Sequence, residues 1–201
     1  MRTDLETVAT VEKSDEHRSR SFRVSIVLAL TLLITLLSAQ GAVARSQATP
    51  AKGTSVTVMT SYEKQLAAAI NATRNHHGLR TLRLVPELMR SAGKHSLQMA
   101  CNGYFAHSSP NGASFITRVK DFYGVGTASY LSAGENLFWA EPRVSPGQVV
   151  KRWLASPEHR WVLLSAQWRV FGVGVVSSTH GAGIFEGRTV MLVTADFAVK
   201  H

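Results

Sequence analysis

The chain has 201 residues, room for one domain and a leader. Hydrophobic residues make up 45% and charged ones 17%, a globular composition that excludes a disordered chain. The net charge is +9; residues 1–44 balance, so all of it falls on 45–201. The basic residues are scattered rather than clustered, which argues against a specific nucleic-acid partner and leaves a surface suited to anionic lipid or envelope polymer.

The single cysteine, Cys101, rules out an intrachain disulfide, and so a disulfide-stapled scaffold. Its setting, Met99-Ala100-Cys101, predicts a small buried hydrophobe rather than a nucleophile.

Residues 24–37 form an apolar run preceded by Arg18, Arg20 and Arg23 and followed by Ala42-Val43-Ala44. A basic region, a short apolar core and a small-x-small site together predict an export signal over 1–44, cleaved after Ala44. Fourteen helical residues rise only about 21 Å, short of the ~30 Å hydrocarbon core. The long polar start also fits an over-extended start codon or an uncleaved anchor, in which case the leader is the only membrane contact. Residues 45–58, small, polar and punctuated by Pro50 and Gly53, predict a flexible linker, and residues 59–201 the folded domain.

Within the domain, Leu66, Ala69, Ile70 and Thr73 recur at helical spacing, predicting a helix over 59–77 with Ser61 as its cap and Gly78 past its end. Pro86 opens a second helix that Gly103 terminates. On it, His95 reads as a surface or satisfied core histidine rather than a ligand. The chain then enters Phe105-Ala106-His107-Ser108, a loop closed by the Pro110-Asn111-Gly112 turn. A third amphipathic helix covers 113–123, and 127–132 carry little signal. Gly134-Glu135-Asn136-Leu137 sets one acid before an aromatic run. Glu135 there reads either as an exposed loop residue or as a buried carboxylate that needs a partner. Ser145-Pro146 and Ser156-Pro157 each look like a cap followed by proline, giving two successive helices. His159 falls in the first turn of the second, where the helix dipole favours the neutral imidazole. From Trp168 the period changes: 168–176 and 189–198 are β-rich and predict a hairpin buried on both faces. Helices first and strands last indicate an α+β class.

The succession Phe-Ala-His-Ser, Gly-Glu-Asn-Leu, a tryptophan-bearing helix, Ser-Pro-Glu-His-Arg and Phe-Gly-Val-Gly-Val resembles the CAP superfamily (cysteine-rich secretory, antigen 5 and pathogenesis-related proteins) over residues 59–199. It looks most like the bacterial SCP-like branch, which lacks the disulfides. The resemblance implies a three-layer α-β-α sandwich with an antiparallel sheet between helices, and a cleft of two histidines and two acids. His107, Glu135 and His159 match three of the four positions. The fourth, an acid in the family pattern, is Ser156 here, and Glu158 is not expected to replace it, since it points about 100° from His159 on a helix.

Two histidines and a carboxylate are the ligand count of an open zinc site. The expected metal ligands are thus His107 and His159, with Glu135 assisting and zinc the expected divalent cation. No hydrolase signature is present and no independent general base is evident. The leading expectation is a secreted or cell-envelope, non-catalytic binding module taking a divalent cation and an apolar ligand such as a lipid or sterol. The alternatives are a metal-assisted hydrolase of peptide or envelope polymer, and a domain whose histidines only brace its loops.

Overall fold

The computed structural model describes residues 60–201 together with the backbone of two short upstream strands, β1 (Val8–Glu12) and β2 (Val56–Val58). The apolar run of the leader, its cleavage site and most of the linker lie outside the described residues. The domain proceeds α1 (Thr60–His76), β3 (Arg83–Leu84), α2 (Pro86–Asn102), α3 (Phe115–Tyr123), β4 (Tyr130–Ala140), α4 (Pro146–Ala155), α5 (Pro157–Leu164), β5 (Val170–Ser178) and β6 (Val190–Lys200). The sheet runs β1-β4-β6-β5-β2, antiparallel throughout, and the two-residue β3 lies parallel against β5. No described helix is long and apolar enough to cross a membrane.

The alternation of β6 explains the layers. Met191, Val193, Ala195, Phe197 and Val199 face one way and pack with Leu66 and Ile70 of α1, Trp153 of α4 and Val162 of α5. Val190, Leu192 and Ala198 face the other way, toward α2 and α3. The result is the expected α-β-α sandwich, with α1, α4 and α5 on one face and α2 and α3 on the other. Both fully buried tryptophans also satisfy their indole N–H groups: Trp153 donates to the Leu137 carbonyl at 2.9 Å and Trp168 to that of Val162 at 2.8 Å.

The Phe-Gly-Val-Gly-Val stretch places α2. A Cβ on Gly172 would sit 2.2 Å from the Leu88 carbonyl carbon, and one on Gly174 2.2 Å from the Gly93 nitrogen, so α2 lies directly on the β5 backbone. At the far end of α2, Gly103 takes a left-handed conformation (φ 66°) and crosses the Ala182-Gly183 turn at backbone contact distance.

Four expectations change. The long strand β4 lies between α3 and α4, so helices and strands are interleaved rather than helices first and strands last. Helix α1 begins at Thr60, so Ser61 lies inside its first turn rather than capping it. Cys101 is exposed, because one further residue on α2 turns it about 100° from the buried Ala100. Glu135 is not an exposed loop residue; it sits in the middle of β4 and is completely buried.

Candidate functional site

The β4 dipeptide Glu135-Asn136 holds both cleft histidines. Successive strand side chains point to opposite faces. Glu135 therefore reaches the α2/α3 layer, where His107 Nδ1 lies 2.8 Å from its Oε1. Asn136 reaches the α5 layer and donates from Nδ2 to the His159 backbone carbonyl at 2.9 Å.

His107 sits on the loop after α2, and two buried side chains clamp that loop. His95 Nε2 donates to the Ala106 carbonyl at 2.9 Å. Arg118, on α3, reaches the His107 carbonyl at 3.4 Å, Ser109 Oγ at 3.0 Å and the second oxygen of Glu135. Burial pushes His95 down to about 4, so of the surface and core readings open to it on α2 it is a neutral core histidine.

Burial alone would raise the Glu135 carboxyl. The Arg118 guanidinium and the hydrogen bond from His107 outweigh it and hold the group at about 2. An ionised carboxylate only accepts, so the proton on this contact belongs to His107 Nδ1. Directly across the sheet register, Asp196 is also fully buried. Burial, followed by the neighbouring Glu135 charge, pushes its carboxyl well above the usual range, so it stays protonated. Ser91 on α2 and Glu135 are its polar neighbours, although neither Asp196 oxygen makes a well-formed hydrogen bond.

His159 occupies the third helical position of α5. Its Nδ1 lies 2.7 Å from Ser156 Oγ, and the Ser156 hydroxyl donates to Glu158 Oε2 at 2.9 Å. Burial, with His107 as the next cause, lowers the His159 pKa and keeps the ring neutral.

Of the four expected cleft residues, His107 pairs with Glu135 and Ser156 with His159, across the two faces of β4. The sequence reading missed Arg118, Asp196, Ser91 and Asn136. Ser91 and His95 stand four apart on α2, and Asp196 interrupts the apolar run of β6 on the same face as Thr194; both were visible signals of a buried polar seam. Arg118 carried no such mark.

Glu135 has both oxygens engaged, one by His107 and the other by Arg118. Among the described residues no set of three or more His, Cys, Asp or Glu side chains is arranged to hold a metal ion. Each of the two imidazoles has its Nδ1 in a hydrogen bond, His107 to Glu135 and His159 to Ser156. A neighbouring cavity of about 80 Å³, lined by Lys94, Gln98, Ser109, Asn111, Arg118 and Phe122 among others, is polar. It is far smaller than the ~300–1,000 Å³ of ordinary small-ligand sites.

Similarity to known proteins agrees with this architecture. The Bacillus subtilis (strain 168) protein YkwD is 37% identical over 120 residues, which cover 60% of this chain and 44% of YkwD. The membrane protein YlbC of the same strain is 34% identical over 118 residues, 59% of this chain and 32% of YlbC. The chain thus spans less than half the length of either relative. Among solved structures, an outer surface protein of Borrelia burgdorferi shares the fold with a TM-score of 0.62 at 17% identity, covering 74% of this chain and all of that one. An extracellular SCP-domain protein of Bacillus anthracis aligns with a TM-score of 0.54 at 25% identity, over 70% of this chain and 41% of its own. Residues 67–194, which include His107, Glu135, Ser156 and His159, match the profile of the cysteine-rich secretory protein family, CAP, and the chain belongs to that family.

Proposed function

We propose that this CAP domain is an exported, non-catalytic binding module whose cleft holds a divalent cation, zinc being the best match, between His107 Nε2 and His159 Nε2. The observation that carries this reading is the commitment of both Nδ1 atoms, His107 to Glu135 at 2.8 Å and His159 to Ser156 at 2.7 Å. A ligating histidine characteristically gives its other ring N–H to a carboxylate or similar acceptor, which fixes the ring and raises its basicity. Solvent or a bound partner would complete the coordination shell. Export is supported by the leader and by the likeness to an extracellular SCP-domain protein. The excess of basic residues suits an anionic envelope polymer or lipid headgroup as the surface partner.

A hydrolytic reading needs a free acid beside the cation. Glu135, the acid at hand, is spent on Arg118 and His107, and among the described residues no second acid contacts either ring. The walls of imidazole, carboxylate and serine lend no support to an apolar ligand in this cleft.

The test is the thermal stability of metal-free protein titrated with zinc. Zinc at 100 times its Kd stabilises by about 2.7 kcal/mol if it binds only the folded state. Wild type should gain stability while the His107→Ala/His159→Ala double variant does not. Equal behaviour of the two proteins, in either direction, would overturn the reading.

A further inference from the structure

The geometry points to Glu158 as the positioning residue of the second imidazole, acting through Ser156 as a Glu158–Ser156–His159 relay that stands where the family pattern has a direct acid. The inference rests on the reading of the cleft as a two-imidazole cation site, and it concerns which nitrogen of His159 faces that cation.

A serine hydroxyl has one proton to give and two lone pairs to offer. Beside an imidazole it can therefore work in either direction. If Ser156 donates to Nδ1, the ring proton moves to Nε2 and the ring has no lone pair for a cation. If Ser156 accepts from Nδ1–H, the Nε2 lone pair is exposed. The serine alone does not choose between these states.

Glu158 makes the choice. Its Oε2 lies 2.9 Å from Ser156 Oγ and, as a carboxylate, can only accept. The one Ser156 proton is drawn to Glu158, and only a lone pair remains for His159 Nδ1 at 2.7 Å. Two further features agree. Ser156 is the N-cap of α5, yet its side chain makes no capping bond to the helix backbone, so the hydroxyl is diverted entirely to this relay. Glu158 lies in the first turn of α5, where a negative charge is favoured by the helix dipole.

The 100° separation of Glu158 and His159 on the helix prevents direct contact but does not prevent the relay, because Ser156 sits before both and bridges them. His107 receives from Glu135 directly what His159 receives from Glu158 through a hydroxyl.

The experiment reads the His159 ring tautomer by long-range ¹⁵N–¹H NMR in metal-free protein, followed by zinc affinity, for wild type, Glu158→Ala, Glu158→Gln and Ser156→Ala. Wild type should show His159 protonated on Nδ1. Glu158→Ala and Ser156→Ala should move population to the Nε2–H form and weaken zinc binding about tenfold, the lower end of the loss expected for an orienting partner. Glu158→Gln keeps an acceptor oxygen and should recover most of both effects. Glu158 is exposed, so an unchanged melting temperature in Glu158→Ala separates positioning from folding. An unchanged tautomer in Glu158→Ala would overturn the relay. If the tautomer responds while wild type binds no zinc, the relay stands and the cation reading falls.

Discussion

Glu135 Oε1 accepts from His107 Nδ1 at 2.8 Å inside the protein, while Arg118 takes the other carboxylate oxygen. The ionised state of Glu135 thus depends on one buried guanidinium, itself only 4% exposed. Removing one partner of such a pair leaves an uncompensated buried charge, at a cost of about 3–5 kcal/mol. Arg118→Met should lose stability on that scale in urea unfolding at pH 7. Adding Glu135→Gln should return part of it, because the orphaned charge is gone.

Asp196 should behave in the opposite way. Its carboxyl is held protonated by burial and by Glu135 across the register, so its folded pKa lies above the unfolded value of 3.8. Its contribution is fully present below 3.8 and is lost as pH rises through the raised folded value. Asp196→Asn imitates the protonated form at every pH. Its unfolding free energy should match wild type below pH 3.8 and exceed it increasingly as pH rises above that. A uniform loss across the pH range would contradict the assignment.

Most of the frame was legible in the sequence because it is periodic. Leu88, Ala92, Ser96 and Met99 mark the buried side of α2, and Pro86, Pro146 and Pro157 each stand at the first position of the helix they open. His107, Glu135 and His159 stood out by motif. The burial of Glu135 was not legible, since Arg118, which makes that burial tolerable, is 17 residues earlier and looks like any basic residue on an amphipathic helix. Asn136 was hidden for a different reason. Its role follows from the two-residue alternation of β4, a strand not expected from the sequence, where 127–132 carry little signal and 134–140 read only as one acid before an aromatic run. Cys101 misled because its apolar neighbours lie on the far side of the helix from it.

Set against the Asp196 contribution, which grows as pH falls, His95 and Glu135 should each weaken the fold in acid. Between about 6.5 and 4, the unfolded chain takes up a proton at His95 that the native state refuses, so stability falls as pH falls. The gap between 6.5 and about 4 corresponds to about 3 kcal/mol. Between 4.5 and about 2 the same holds for Glu135, whose folded pKa is depressed. In His95→Gln, whose amide can still donate to the Ala106 carbonyl, the upper slope should flatten and the lower one persist. Denaturant midpoints from pH 7 to pH 3 check both.

The close seating of α2 gives a sharper mutational contrast. Gly174→Ala would place a methyl 2.2 Å from the Gly93 nitrogen, contact with backbone that no rotamer change relieves. A loss of about 1–3 kcal/mol or more is expected. Gly93→Ala meets nothing within 4 Å and replaces glycine inside a helix, so it should gain up to about 1 kcal/mol. Equal effects of the two substitutions in thermal unfolding would contradict the packing described here.

The proposed cation sits between the two imidazoles while Glu135 stays on His107. Crystals soaked in zinc, with anomalous data collected on either side of the zinc edge, test it most directly. One strong anomalous peak is expected about 2.0–2.1 Å from both His107 Nε2 and His159 Nε2, with the His107 Nδ1 to Glu135 contact kept near 2.8 Å. A fully soaked crystal with no peak in the cleft, or a peak ligated by Glu135 with that contact broken, would contradict it.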